Sequence, residues 1–219
     1  MTERDERGNG LWGLLVAAGL VLMEFLLFSS LVPTDWAERM REQETRWLVE
    51  EMQPRTAERI VTTAQDWYGR LFLRTGLVEL SYRLLLPDDE DRRRTPELKA
   101  LNDSPVWLWL KGRLDVIWLS VYTAVQRLVV LLAWWPFLGF AGVAAAGDGL
   151  LRRRIRQSGF AYASPLAHRY AMYGLYALGV LVLFGLFVPV ALPPFGVPIM
   201  GGLAAIGVGV ILTHTQKAL

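Results

Sequence analysis

The sequence has no cysteine and only two histidines among its 219 residues. The lack of cysteine excludes disulfides, thiolate nucleophiles and cysteine-ligated metals. His168 and His214 stand in no metal-ligand spacing, and Ser164 beside His168 has no evident third residue to orient a base. No P-loop or dinucleotide-binding glycine motif occurs. The formal net charge of +2 is too small to indicate a nucleic-acid-binding protein. We therefore expect no catalytic, cofactor or metal site, no enzymatic activity and no direct nucleic-acid binding.

Apolar residues, by contrast, make up 53% of the chain. They fall in blocks of about 20 residues, the length that crosses a bilayer as a helix. The second block predicts one extended helix whose membrane part starts near Trp118 and bends at Pro136. The turn "VALPPFGVP" makes the last two blocks a helical hairpin. The four blocks are residues 11–32, 106–146, 170–190 and 195–212.

These blocks predict an all-α membrane protein with four transmembrane helices and a helical periplasmic insertion between the first and second. The predicted parts are a cytoplasmic N-terminus with the first span, the insertion, the extended second span, a basic cytoplasmic loop, and the hairpin with the C-terminus. Their bounds are 1–32, 33–105, 106–146, 147–169 and 170–219.

The distribution of arginine predicts the orientation. Short cytoplasmic loops collect Lys and Arg, whereas long loops cross the membrane largely regardless of charge. The short loop 147–169 is basic, and segment 33–105 holds twelve Lys and Arg against fifteen Asp and Glu. We therefore expect the short loop and both termini in the cytoplasm, and segment 33–105 outside.

Segment 33–105 has the pattern of amphipathic helices. One helix places Trp36, Met40 and Leu48 near one face, and Pro54 suits the first turn of a second. That second helix repeats apolar residues at spacings of three, four and seven. The repeat comprises Ile60, Ala64, Trp67, Leu71, Val78, Tyr82 and Leu85.

The basic loop has three interpretations: a topology signal alone, a site for anionic lipid headgroups, or a docking site for a cytosolic partner. Its aromatic and turn-forming residues go beyond what a topology signal requires. The candidate contact residues are Arg152, Arg153, Arg154, Arg156, Phe160, Tyr162 and His168.

Two further features lie inside the predicted spans. Glu24 and Arg127 fall at similar depth, so we predict an intramembrane ion pair, with proton or ion handling and snorkelling as alternatives. Gly201, Ala205 and Gly209 form a small-residue stripe that predicts close helix packing in the bundle, with self-association as the alternative.

The stretch "GDGLLRRRIRQSGFAYASPLAHRYAM" resembles the integrating conjugative element membrane proteins, a family of bacterial conjugative elements defined largely as a domain of unknown function. The matching features are Asp148-Gly149-Leu150, the arginines at 152–154 and 156, Gly159-Phe160, and Ser164-Pro165 before His168. The resemblance implies a multi-pass protein of the bacterial inner membrane. It also implies a partner in the conjugative coupling ATPase or the type IV secretion channel.

These observations favour a non-enzymatic scaffold of a conjugative DNA-transfer apparatus, whose outer helices and basic loop contact partner proteins. The alternatives are a small oligomeric transporter or channel using Glu24 and, with least support, an enzyme acting on lipid or peptidoglycan precursors. Homo-oligomerisation stays open.

Overall fold

The computed structural model describes residues 16, 19–25, 27–86, 105–158 and 164–215, and every regular element in those ranges is a helix. The elements are α1 (Gly19–Leu31), α2 (Thr34–Glu51), α3 (Pro54–Tyr68), a π-helical turn (Gly69–Leu73), α4 (Leu77–Leu85), α5 (Pro105–Ala133), α6 (Trp135–Ser158), α7 (Pro165–Phe187) and α8 (Gly196–His214). The prediction of an all-helical chain is thereby confirmed for this part of the sequence.

Three of these helices, α5, α7 and α8, are long and apolar enough to cross a membrane. A fourth crossing is counted only if α1 and α2, which meet at an angle of 116°, are taken as one broken span. The described chain therefore has three membrane-length helices, or up to four.

The predicted extended helix 106–146 is divided in two. Helix α5 ends at Ala133 and α6 begins at Trp135. Pro136 lacks an N–H and cannot continue the helical hydrogen bonds, so the chain breaks just before it. The predicted loop 147–169 is also shorter than expected, because α6 continues through all four clustered arginines to Ser158. Arginine is a good helix former, so a charge cluster need not end a helix.

The chain folds into two compact units. The first contains the described residues up to Val129 together with Leu186–Leu192. Its core lies between α2, α3 and α5, where Leu48, Ile60, Ala64 and Val116 are almost fully buried. Pro54 is the first residue of α3, as predicted. The predicted second helix does not run on to Leu85, because Gly76, with a φ of 74°, separates the π-helical turn from α4.

The second unit contains Val130–Gly185 and the residues from Pro193 onward. Its small-residue stripe packs on α6: Gly209 faces Ala145 and Gly149, and Gly201 faces Leu138. On another side of α8, Gly207 lies against Leu175 of α7. Glycines therefore permit α8 to approach two helices closely.

Gly149→Ala should destabilise this unit, since the added Cβ would lie 2.8 Å from the Gly209 carbonyl oxygen and 3.0 Å from the Leu212 Cβ. We expect a loss of about 1–3 kcal/mol in the free energy of unfolding, typical of overpacking. Denaturant unfolding in mild detergent, followed by circular dichroism, measures it. The matched control is Gly147→Ala, where an added Cβ meets nothing within 4 Å. Equal effects at both positions would contradict the packing.

Candidate functional site

A buried ion pair lies at the centre of the first unit. Arg127 on α5 is 9% exposed and Glu44 on α2 is 4% exposed. The Arg127 Nη2 donates to Oε1 of Glu44, and its Nε donates to the same oxygen at 3.1 Å. Two nitrogens on one edge of the planar guanidinium, Nε and Nη2, therefore donate to the same carboxylate. The pair joins helix α2 to helix α5.

The same guanidinium also binds the segment that follows α7. Nη1 donates to the carbonyl oxygens of Leu186 at 3.2 Å and Val188 at 2.8 Å, and Nη2 donates to that of Val190 at 2.8 Å. In return, Oε1 of Glu44 accepts the Leu192 N–H at 3.0 Å. One ion pair thus holds four backbone groups of residues 186–192.

Two further side chains of α2 complete this set of contacts. Trp36 donates its indole N–H to the Pro189 carbonyl oxygen at 3.1 Å, and the Met40 sulfur accepts the Ala191 N–H at 3.2 Å. We call Trp36, Met40, Glu44 and Arg127 the turn clamp. Because α7 ends at Phe187 and prolines follow, carbonyls here have no helical partners and need other donors. Arginine supplies several from one side chain.

Arg113 repeats this arrangement on α5. Its Nη1 donates to the carbonyl oxygens of Ser29, Ser30 and Val32 at 3.3, 3.0 and 2.8 Å. These carbonyls lie at the end of α1. A cation at a helix C-terminus is also favoured by the helix dipole. Helix α5 therefore caps two other apolar helices, α1 and α7, with two of its arginines.

The predicted pair of Glu24 with Arg127 is present only as a charge interaction without a hydrogen bond. Arg127 binds Glu44, whereas neither carboxylate oxygen of Glu24 has a hydrogen-bond partner within the described ranges. Glu24 is nevertheless only 5% exposed. The prediction matched the two residues by depth alone and did not allow for the 116° bend between α1 and α2. A sequence signal for Glu44 was present but not used: it lies four residues from both Met40 and Leu48, on the apolar face of α2.

The predicted basic contact residues lie at the end of α6 in the second unit. Arg152 pairs with Asp148 at 2.7 Å, and both side chains are more than half exposed.

Arg156 lies 2.9 Å from Nε2 of His214, whose Nδ1 is 2.9 Å from the Val210 carbonyl oxygen. His168 is near the Ile211 carbonyl oxygen at 3.4 Å. The structure thus places Arg156 and both histidines at one end of this unit. Phe160 and Tyr162 lie outside the described residues.

The first unit also contains an aromatic pocket, which the sequence did not indicate. Tyr68, Trp118, Tyr122, Tyr82 and Asp115 line it, and its volume is about 450 Å³. The Tyr68 ring stands at 75° to Trp118 and 84° to Tyr122, at centroid distances of 6.5 and 5.5 Å. These near-perpendicular rings pack edge to face, as aromatic pairs prefer, and we call Tyr68, Trp118 and Tyr122 the aromatic corner.

Tyr82 and Asp115 form the polar wall of this pocket. The Tyr82 hydroxyl donates to Oδ1 of Asp115, and the Trp118 indole N–H donates to the Ser81 hydroxyl at 2.9 Å. Burial, above all, raises the pKa of Tyr82 well above its usual value, and the hydrogen bond to Asp115 and the negative charge of that carboxylate add to the rise. Burial also raises the pKa of Tyr68. Both phenols are therefore neutral near pH 7.

Within the described ranges, no group of three His, Asp or Glu side chains is placed to hold a metal ion. The described side chains instead form a polar clamp, an aromatic pocket and a basic helix end. They define an all-helical protein with three, or up to four, helices of membrane-spanning length.

The chain belongs to the DtrJ-like family, whose model, described as IncC plasmid conjugative DNA transfer protein DtrJ-like, matches residues 30–219. The expected link to conjugative DNA transfer is confirmed at the level of this family. No curated protein and no solved structure matches the chain.

Arg127→Ala should destabilise the first unit by about 3–5 kcal/mol, because it leaves the Glu44 carboxylate buried and uncompensated. Chemical unfolding in detergent measures the loss. The control, Arg83→Ala, removes an exposed pair with Glu79 and should cost at most about 0.5 kcal/mol.

A double variant distinguishes stabilisation by the ion pair alone from stabilisation by the hydrogen bonds of Arg127 to the backbone. Replacing both Arg127 and Glu44 by leucine removes both charges, yet the carbonyls of residues 186–190 still lose their donors. We therefore expect the double variant to stay destabilised. Recovery of full stability would show that the backbone contacts of Arg127 contribute little.

In the Tyr82→Phe variant, the free energy of unfolding should fall less steeply at alkaline pH than in the unsubstituted protein. With its raised pKa, folded Tyr82 keeps its proton above about pH 10, where the unfolded chain loses its own. The stabilisation is therefore fully present below about pH 10 and is lost as pH rises toward the folded-state pKa. Unfolding free energies measured across this range test it. Parallel profiles for both proteins would contradict the shift, and Asp115→Asn should give an intermediate profile.

Proposed function

We propose that this chain is a non-enzymatic interaction subunit, held in the bacterial inner membrane, of a plasmid conjugative DNA-transfer apparatus. The observation that carries the proposal is the turn clamp. It joins the helices of the insertion to the turn between two apolar helices. A joint of this kind suits a platform that holds partner proteins in a defined position.

The turn clamp supports the proposed orientation. Helix α7 is 23 residues long, about 34 Å, enough to cross the hydrocarbon core. If its start near the arginines of α6 is cytoplasmic, its end at Phe187 is outside. Helix α2 binds residues 186–192, so it lies on that same outer side. The C-terminus, which follows α8, is then cytoplasmic, and a crossing by α1 would place the N-terminus there as well, as the sequence predicted.

Each end of the proposed subunit offers a contact surface. On the outer side, α4 exposes Leu77, Leu80 and Leu84 at helical spacing, an apolar face suited to a periplasmic component. On the inner side, Arg152 and Arg154 are exposed at the end of α6. Their charge suits anionic lipid headgroups or a cytosolic partner, for which we propose the coupling ATPase or another type IV secretion component.

Position-specific crosslinking in a conjugation-proficient donor tests these contacts. A photoreactive amino acid at Leu84 should capture an envelope component, and one at Arg154 should capture a cytosolic or membrane-embedded component. Phe140, which is 76% exposed, is the matched control and should capture lipid alone. Capture of lipid at all three positions, with DNA transfer unchanged on deletion of the gene, would refute the proposal.

The orientation has its own test, because the native chain contains no cysteine. A single cysteine at the exposed Glu50 should react with a membrane-impermeant maleimide in intact cells, and one at Arg154 should react only after lysis. Labelling of both under the same condition would exclude the proposed topology.

A second function, a small channel or transporter, is favoured by one observation. The Glu24 carboxylate is buried within a helix of apolar sequence and makes no hydrogen bond to the residues the structure describes. Buried acids of this kind often mark ion or proton paths. Ion flux in proteoliposomes that is lost in Glu24→Gln would support this alternative over the scaffold.

A further inference from the structure

The aromatic pocket of the first unit is built from helices that are far apart in sequence. Tyr68 belongs to α3, Tyr82 to α4, and Trp118, Tyr122 and Asp115 to α5. Its volume of about 450 Å³ falls in the range of ligand sites, and it opens to solvent. The turn clamp uses none of these residues. The pocket is therefore a feature that the proposed platform role does not by itself explain.

The charge of the lining selects the sign of a ligand. Two carboxylates, Glu38 and Asp115, line the pocket against one guanidinium, Arg41. The tyrosines add no charge, since Tyr68 and Tyr82 are neutral near pH 7. The excess of negative charge favours a cation.

The aromatic rings select the kind of cation. Perpendicular rings present both a π face and neighbouring edges, and a π face attracts ammonium and guanidinium groups within about 6 Å. Asp115, hydrogen-bonded to Tyr82, holds a carboxylate beside the Trp118 ring. The volume of about 450 Å³ exceeds that of one side chain, so residues flanking the cation would fit as well.

We propose that this pocket binds the cationic side chain, lysine or arginine, of a segment of a partner protein. This inference deepens the proposed function, because it specifies one partner contact. Binding requires the aromatic corner for the cation and Asp115 with Glu38 for its charge.

Fluorine NMR on the purified full chain in detergent tests the proposal. Meta-fluorotyrosine at Tyr122 reports from inside the pocket, and the probes are N-acetylarginine amide and N-acetyllysine amide. N-acetylnorleucine amide, which has no charge, is the matched neutral probe. We expect saturable shifts with a cationic probe that weaken with salt, and none with the neutral one.

Variants of the carboxylates decide whether the site is the one described. Asp115→Asn keeps the acceptor for Tyr82 but removes the charge, and it should weaken binding about tenfold or more. Glu38→Gln should weaken it as well. Glu79→Gln, on α4 but outside the lining, removes an equal charge and should leave the affinity unchanged.

Three results would overturn the proposal. The first is shifts of equal size with the neutral probe, and the second is no shift with either cation. The third is shifts with chitotriose, an uncharged sugar that stacks on aromatic rings without needing a carboxylate. The readout is binding by isolated protein, so failure here would leave the crosslinking test of the proposed function unaffected. Failure of that crosslinking test would likewise leave a measured affinity for cations intact.

Discussion

The contacts of Arg127 are the constraint on which the first unit depends. Burial of a guanidinium and a carboxylate carries a desolvation cost that their mutual attraction alone need not repay. Here Arg127 also donates hydrogen bonds to the carbonyl oxygens of Leu186, Val188 and Val190, and Glu44 accepts one from the Leu192 N–H. The same bonds satisfy carbonyls that a proline-rich turn leaves without helical partners. The ion pair and the turn therefore stabilise each other.

Helix α5 extends this principle along its length. Arg113 and Arg127 lie about four helical turns apart, roughly 21 Å, and each caps the end of a different apolar helix. One helix thus holds the ends of α1 and α7, and its Arg127 also binds α2 through Glu44. These contacts hold α2, α5 and the turn at 186–192 together within the first unit.

Much of this architecture is predictable from local patterns, and the failures have physical causes. The start of α3 follows from Pro54, whose ring fixes φ and whose missing N–H is not needed in the first turn. The second span is predicted as one continuous helix bent at Pro136, whereas the structure has two helices, one ending at Ala133 and the next beginning at Trp135. The basic stretch is predicted as a loop from its charge, although arginine is a good helix former and α6 continues through it.

The amino-acid sequence by itself determined that the chain is helical, that several helices have membrane length, and that arginines cluster between the second and third apolar blocks. These properties follow from composition and periodicity, which act over a few residues at a time. Only the tertiary structure decided that Arg127 binds Glu44 rather than Glu24, and that Tyr68, Tyr82 and Asp115 share one pocket. Such pairings depend on helix bends and on which residues lose water together, and neither is encoded in local spacing.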